Sequence, residues 1–255
     1  MKMPATLLAA TLAACAAPSA GGPPPASPPP GPDYAALVAG RDRTPEDRAL
    51  DPGRHPVEML AFLDVRPGME LAELGAGGGY TTELLARAVG PNGAVYAQNS
   101  AVLLGFAGEA WARRLQRPVM RKVVRVDREF DDPLPPEAKG LDLVVMNALY
   151  HDTVWMKTDR ARMDRAVFEA LRPGGAFVVV DSSARPGTGV ADAGTLHRID
   201  EQVVRDEVQA AGFRLATEGS FLRNPADARD WNASPGAAGE RRGTSDRFAL
   251  RFVKP

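Results

Sequence analysis

The sequence of 255 residues predicts an α/β protein with a doubly wound, mostly parallel sheet of seven strands and an antiparallel last strand. Three observations support this fold class. Apolar runs with the length of buried parallel strands alternate with segments of helical periodicity. A glycine-rich loop at 75–79 follows the first predicted strand. In the last segment, 247–253, apolar residues alternate with arginines, as in a half-buried antiparallel strand.

The elements follow one another in a regular order. The predicted strands are 69–74, 94–98, 121–126, 141–146, 176–181, 213–222 and 247–253. The predicted helices are 34–63 with an interruption at 51–53, a segment from the glycine loop to Val89, then 101–115, 158–171 and 199–211. Glycine and proline mark several of the ends, as Gly90 and Pro91 do after the second helix.

The first 32 residues differ in composition from the rest of the chain. Eight of the 23 prolines lie between Pro18 and Pro32, and Lys2 is the only charged residue of this segment. Residues 1–15 combine one positive charge, a short apolar run and small residues, as a bacterial signal peptide does. Residues 12–15, Leu-Ala-Ala-Cys, resemble the lipobox of bacterial lipoproteins, in which the cysteine carries the lipid.

We therefore predict a lipoprotein-type signal peptide at 1–15, lipidation of Cys15, and a Pro-rich disordered tether at 16–32. The tether has 17 residues and would span roughly 50 Å in the extended polyproline conformation. A single domain is predicted at 33–255, with a helical cover at 33–64. A fortuitous alanine-rich start is the competing interpretation of the leader.

Composition excludes several classes of partner and site. Lys and Arg (31) are matched by Asp and Glu (32), which leaves no bulk electrostatic case for a nucleic-acid partner. A single cysteine excludes an intramolecular disulfide and a cysteine-cluster zinc site. The three histidines are far apart and lack the His-Glu-x-x-His spacing, so we predict no metal.

The glycine loop is the most informative segment. Residues 73–79 read Glu-Leu-Gly-Ala-Gly-Gly-Gly at the first strand-to-helix turn, where doubly wound sheets bind ligands. The dinucleotide fingerprint needs a glycine where this chain has Tyr80, and the Gly-Lys-Ser/Thr of a phosphate loop does not follow. With an acidic residue two positions before Gly75, the segment resembles that of the class I S-adenosylmethionine-dependent methyltransferases. Residues 171–175 and 211–213 resemble the turns before the fifth and sixth strands of that family.

The resemblance implies S-adenosyl-L-methionine as cofactor and a role for each matching residue. Gly75, Gly77 and Gly79 would pass beneath its methionine and ribose portions. Glu73 would hydrogen-bond near the methionine ammonium, directly or through water. Asn99 stands at the end of the second strand, where the family usually has a carboxylate for the ribose hydroxyls. A neutral amide there should bind those hydroxyls more weakly.

The family often places an acidic residue after the third strand, where it accepts a hydrogen bond from the adenine amino group. We predict Asp131 in this role. Asp127 is its competitor, and the alternative is that both are solvated loop carboxylates.

The segment after the fourth strand holds the candidate catalytic residues, because a position there faces the reactive methyl group in the family. His151 has a suitable pKa for removing a proton from an acceptor. Tyr150 could orient the acceptor or lie against the cofactor, and Asp152 could fix a histidine tautomer or contact substrate. Asn147 is predicted to contact the cofactor. Only Asn147 and Tyr150 match the Asn-Pro-Pro-Tyr element of amino-group methyltransferases, so methylation of a base or a glutamine amide is not supported.

Simpler interpretations apply to all three histidines. His151 is equally compatible with a hydrogen-bonded loop residue. His55 lies ahead of the first strand, in a segment that often covers the cofactor in related enzymes. His197 lies before the helix that follows the fifth strand and could line the acceptor pocket. For His55 and His197 we favour a structural or solvent-facing role.

Two functions are consistent with these patterns. The first is methyl transfer to a small molecule by an exported enzyme, tethered by its lipid in the bacterial cell envelope and facing the periplasm or exterior. The second is a non-catalytic ligand-binding lipoprotein that retains the fold, because the cofactor is made in the cytoplasm and the ribose carboxylate is missing. An unprocessed leader would place the protein in the cytoplasm and remove the supply problem.

Overall fold

The computed structural model describes Met1 and residues 31–255, and residues 31–255 form one compact unit. Apart from Met1, the predicted signal peptide with Cys15 lies outside the described residues, as do all but the last two residues of the predicted tether. Three helices open the described part. They are α1 (Tyr34–Val38), α2 (Pro45–Arg54) and α3 (Pro56–Leu63).

The predicted interruption of this helical segment is wrong in position. Pro52 lies inside α2, which continues to Arg54. The chain breaks instead at His55, whose left-handed backbone (φ 46°) ends α2 while its N–H still bonds to the carbonyl of Asp51. A second break precedes α2, where the Thr44 hydroxyl accepts a hydrogen bond from an N–H of the first turn.

The sheet has the predicted class. Its strands are β1 (Glu70–Leu74), β2 (Ala94–Asn99), β3 (Val123–Asp127), β4 (Leu141–Asn147), β5 (Leu171–Ser182), β6 (Arg214–Gly219) and β7 (Arg247–Val253). They lie in the order β3-β2-β1-β4-β5-β7-β6. Strands β1 to β5 run parallel to one another, and β7 runs antiparallel between β5 and β6. The mostly parallel sheet with an antiparallel last strand is therefore confirmed.

The predicted turn before the fifth strand lies within β5 instead. Leu141 of β4 pairs with Leu171, and the next pair joins Leu143 to Ala176. Residues 172–175 therefore form an irregular segment between two paired parts of one strand. Gly174 has a positive φ of 76°, so the strand bends there as it changes register.

Helices cover both faces of the sheet. After β1 they are α4 (Tyr80–Val89), α5 (Ala101–Leu115), α6 (Asp152–Trp155), α7 (Arg160–Ala170) and α8 (Glu201–Ala210). Successive side chains of β4 enter two different cores, as the pleat requires. Leu143 and Val145 pack on the side of α3 and α4, and Val144 and Met146 pack on the side of α7 and α8.

The order of the strands places the site. The chain winds from β1 toward β3 on one side and from β4 toward β5 on the other, so its direction reverses between β1 and β4. Ligands of doubly wound sheets bind beyond the carboxyl ends of the strands at such a point. The loops that follow β1, β4 and β5 meet there. Among the described helices, none is long and apolar enough to cross a bilayer.

Candidate active site

The glycine loop joins β1 to α4 at this edge. Gly75, Gly77 and Gly79 all have positive φ angles, of 72°, 55° and 81°. A Cβ added at Gly79 would lie 2.6 Å from Cζ3 of Trp111, so that position excludes any side chain. At Gly77 a Cβ would meet no heavy atom of the described residues within 4 Å. The backbone at Gly77 therefore borders open space that a ligand can enter.

Two amide side chains at the end of β2 hold this loop. The N–H of Gly75 donates to Oε1 of Gln98 at 2.9 Å. The N–H of Gly77 donates to Oδ1 of Asn99 at 2.8 Å, and Nδ2 of Asn99 donates back to the Gly77 carbonyl at 3.2 Å. Each side-chain amide has a second N–H and a second lone pair. Asn99 therefore lies against the predicted cofactor loop and braces it, and Gln98 is a bracing residue to which the sequence assigned no role.

Glu73 lies beneath the start of α4. Its carboxylate is 2% exposed and accepts a hydrogen bond from the Thr82 hydroxyl. Burial raises the pKa of Glu73 to about 7, while hydrogen bonds from Thr82 and Thr81 and the charges of Arg54 and Arg114 act in the opposite direction. The observed partners of Glu73 are thus groups of the protein, and its contact with a methionine ammonium stays a prediction.

Helix α2 contacts the same loop from outside. The Tyr80 hydroxyl donates to Oδ1 of Asp51 at 2.6 Å, and the Arg54 guanidinium lies 4.3 Å from the centre of the Tyr80 ring. Arg114 of α5 donates to the carbonyl of Gly78 at 2.6 Å. These contacts fix the first turn of α4 between the N-terminal helices and α5.

A cluster of titratable side chains lies at the carboxyl ends of β4 and β5. Nδ1 of His151 donates to Oδ1 of Asp181 at 2.7 Å, and its backbone N–H donates to Oδ2 at 2.8 Å. Nε2 of His151 lies 3.0 Å from Oδ1 of Asp152 and 3.2 Å from Nδ1 of His197. The third distance, from Asp152 Oδ1 to His197 Nδ1, is 3.1 Å. We call His151, Asp152, Asp181 and His197 the histidine cluster.

The carboxylates decide the charge of this cluster. Burial by itself would lower the pKa of His151, but Asp181 and Asp152 together raise it to about 10. Asp152 is held in place by Nε1 of Trp155, which donates to its Oδ1 at 2.7 Å. Sequence reasoning found His151 and Asp152, assigned His197 mainly to structure, and missed Asp181. The signal for Asp181 was a carboxylate at the end of a buried apolar strand.

Tyr150 corrects one of the predictions. Its side chain is fully buried, and its hydroxyl lies 2.9 Å from both Asp164 and Glu207, on the side of α7 and α8. The predicted role of orienting an acceptor needs an accessible hydroxyl, which Tyr150 does not have. The left-handed backbone of Ala148 (φ 58°) begins the turn after which Tyr150 enters the core and His151 meets Asp181.

The remaining predicted cofactor contacts, Asn147 and the two candidate aspartates, lie in different parts of the structure. Asn147 is partly buried at the end of β4, where its Nδ2 donates to the Thr81 hydroxyl at 3.3 Å. Asp131 accepts from the N–H of Asp159, 2.7 Å away at the start of α7. Its competitor Asp127 pairs in register with Asn99, next to the glycine loop. The adenine contact stays open between the two, and Asp127 is the one placed beside the bracing amides.

No family model matched the chain. Over 122 residues the chain is 33% identical to the protein-L-isoaspartate O-methyltransferase of Aeropyrum pernix, and the match covers 48% of this chain and 42% of that protein. The aligned part is therefore less than half of the relative's length.

Solved structures share the whole architecture. An S-adenosylmethionine-dependent methyltransferase from Aquifex aeolicus superposes with a TM-score of 0.55 at 15% identity, covering 88% of this chain and 99% of the other. A putative sarcosine dimethylglycine methyltransferase from Galdieria sulphuraria gives 0.57 at 16% identity, covering 87% and 97%. The protein therefore has the fold of the class I methyltransferases, and at these identities the likeness is one of fold.

Proposed function

We propose that this protein transfers the methyl group of S-adenosylmethionine to a small-molecule acceptor. One observation carries the proposal. The glycine loop lies at the carboxyl end of β1 with its backbone open at Gly77, and Gly75 faces the side chain of Leu149, two residues before His151 of the histidine cluster. The shared fold and the partial sequence match to a named methyltransferase support it.

The loop residues suit the cofactor. Open space at Gly77 admits a bulky ligand to within contact of the backbone, and Asn99 keeps a donor and an acceptor for ribose hydroxyls. Asn147 and Thr81 add polar groups on the β4 side. The bound cofactor would supply an electrophilic methyl group, so the protein's task is to align a nucleophile with it and to manage the nucleophile's proton.

The histidine cluster is the proposed acceptor site. Its members range from fully buried Asp181 to His197, whose side chain is 27% exposed. An acceptor that reaches His197 would meet imidazole and carboxylate groups that bind a hydroxyl or carboxylate oxygen. The relative is named as an O-methyltransferase of protein L-isoaspartate, and the structural neighbour is named as a putative methyltransferase of sarcosine and dimethylglycine.

The proposed enzyme is anchored in the bacterial envelope through lipidated Cys15 and the tether. This part of the proposal depends on sequence composition. Mass spectrometry of membrane fractions tests it, because Cys15→Ser should abolish the lipid-modified N-terminus and release the protein. A wild-type chain that is soluble and retains Met1 would place the enzyme in the cytoplasm instead.

Cofactor binding is tested by calorimetry of the full chain with S-adenosylmethionine and S-adenosylhomocysteine. Gly77→Arg should abolish binding by filling the open space. Gly140→Arg is the matched control, because Gly140 also has positive φ and open surroundings but precedes β4 at the opposite edge of the sheet. A well-folded wild-type protein that binds neither ligand would refute the proposal, as would equal loss in both variants.

The neutral Asn99 favours a second candidate, a ligand-binding protein with the same fold and no transfer chemistry. A ligand-binding protein needs only affinity for its ligand, whereas a methyltransferase must also bind an acceptor next to the methyl group. Labelled S-adenosylmethionine, incubated with the protein and a fractionated small-molecule extract, separates the two. Transferred label supports the enzyme, and tight binding without transfer supports the second candidate.

A further inference from the structure

We propose that His151, Asp152 and His197 form a binding site for a divalent transition-metal ion of the Zn²⁺ type. The three residues each offer one ligand atom, and these atoms surround a common point. Two imidazoles and one carboxylate are a donor set that suits zinc or iron better than magnesium or calcium, which prefer oxygen ligands alone.

The three donor atoms form a nearly equilateral triangle. Its edges are 3.0 Å (His151 Nε2 to Asp152 Oδ1), 3.1 Å (Asp152 Oδ1 to His197 Nδ1) and 3.2 Å (His151 Nε2 to His197 Nδ1). With metal–ligand bonds of about 2.0–2.1 Å, an ion would lie about 1 Å outside the plane of these atoms. The triangle therefore has the size of one face of a metal coordination shell.

Asp181 supplies the outer contact that such a site needs. Metal-bound histidines usually donate their second ring nitrogen to a carboxylate, which sets the tautomer and the ring orientation. Asp181 accepts from Nδ1 of His151 at 2.7 Å and is itself fully buried. The lone pair of His151 Nε2 is thereby directed to the centre of the triangle whenever this nitrogen is unprotonated.

The segment that carries His197 is also fixed. His197 has a left-handed backbone (φ 51°), and the next residue, Arg198, is fully buried. Arg198 pairs with Asp227 at 2.7 Å and donates to the carbonyl of Ser183 at 3.1 Å. These contacts hold the loop that carries His197 against the end of β5 and against the segment between β6 and β7. The protein itself therefore fixes this part of the backbone without the ion.

One side of the triangle is accessible. The side chains of His151, Asp152 and His197 are 6%, 14% and 27% exposed. A three-ligand site with an accessible face leaves a coordination position for water or substrate, as catalytic zinc sites do. The same carboxylates that attract a proton to His151 attract a cation to this point, so proton and metal ion are competing occupants.

A role for the ion in activating the acceptor rests on the proposed function, whereas ion binding itself does not. An acceptor hydroxyl bound to the ion would have a lowered pKa and would release its proton to solvent. Its oxygen would then form the bond to the methyl carbon as the bond from that carbon to the cofactor's sulfur breaks, which leaves S-adenosylhomocysteine. His151 would then act as a ligand and not as the base.

Zinc binding by the full-length protein tests the site. After chelator treatment and dialysis, the wild-type protein should bind one equivalent of Zn²⁺ in competition with a chromogenic chelator. One equivalent of Co²⁺ should give the visible absorption of a low-coordinate site with nitrogen ligands. Asp152→Asn and His197→Asn should each weaken Zn²⁺ binding about 100-fold or more, since the first removes the charge of a direct ligand and the second removes an imidazole ligand.

His55→Asn is the matched control. His55 is an exposed histidine with the same left-handed backbone as His197, and asparagine tolerates that conformation. The control should bind Zn²⁺ as the wild type does. Wild-type protein without stoichiometric Zn²⁺, or variants that match the control in affinity, would overturn the site. Calorimetry with S-adenosylmethionine on the same samples reports separately on the proposed function.

Discussion

Two buried ionisable groups lie at the same edge of the sheet and have opposite surroundings. Glu73, near the end of β1, accepts hydrogen bonds from threonine hydroxyls. The charges of nearby arginines lower its pKa from a distance, without hydrogen bonds to its carboxylate. His151, after β4, lies between the carboxylates of Asp181 and Asp152. Burial penalises the charged form of both. Only His151 has close partners of opposite charge that reverse the penalty.

The difference in surroundings gives the two groups different charge states at the same edge of the sheet. The pKa of Glu73 is raised to about 7, so its charge is easily lost near neutral pH. The pKa of His151 is raised to about 10, so positive charge is retained there in the metal-free protein. The glycine loop therefore lies over a group of variable charge, whereas the histidine cluster keeps a charge pair in the metal-free protein.

Breaking the charge pair should have the largest effect. Asp181→Asn keeps a hydrogen-bond acceptor but leaves His151 without its closest counter-charge. Removing one member of a buried pair costs about 3–5 kcal/mol. Urea unfolding of the metal-free protein at neutral pH measures this loss in the free energy of unfolding. Asp127→Asn, at an exposed pair with Arg125, is the control and should change the free energy of unfolding by about 0.5 kcal/mol or less. If Asp181→Asn and Asp127→Asn lowered the free energy of unfolding equally, the buried charge pair at His151 would contribute no more than an exposed one.

Neutralising Glu73 should have a smaller, pH-dependent effect. Because its folded pKa of about 7 exceeds the usual 4.5, the folded state binds the proton more tightly and loses stability as pH rises through this window. Glu73→Gln does not titrate. Relative to wild type, the variant should gain up to about 3 kcal/mol between pH 4 and pH 8.

The difference between variant and wild type is the quantity to follow. Asp164, whose pKa burial also raises to about 7, titrates in both proteins and cancels. Urea unfolding at several pH values gives this difference. A difference that does not vary with pH would show that Glu73 titrates at its ordinary pKa.

Removing the Thr82 hydroxyl, which donates to Glu73, should have the smallest effect on the free energy of unfolding. Thr82→Val leaves the volume nearly unchanged but removes a hydrogen bond to a buried carboxylate, which costs about 1.5–3 kcal/mol when the carboxylate is charged. The loss should be greater at pH 8 than at pH 5, where Glu73 is protonated. Thr217→Val on exposed β6 should change stability by about 0.5 kcal/mol or less at both. A loss of the same size at pH 5 would contradict the assignment.

Much of the fold was predictable because its signals are local. The helix at 101–115 and the strand at 247–253 have the predicted bounds. Apolar runs and glycine stops are properties of neighbouring residues. The break at His55 was missed because the stop signal of Asp51, Pro52 and Gly53 is local, whereas the contacts that keep this turn helical come from elsewhere. Asp51 pairs with Arg43 at 2.6 Å and accepts from the Tyr80 hydroxyl.

The sequence by itself determined the class of sheet, the glycine loop and the edge at which a ligand would bind. Only the tertiary structure decided what surrounds the reactive groups there. It buried Tyr150 against Asp164 and joined His151 to Asp181 and His197, which are 30 and 46 positions away. The physical reason is that periodicity reports which face of an element is buried. The charge of a buried group depends on side chains that arrive from other loops.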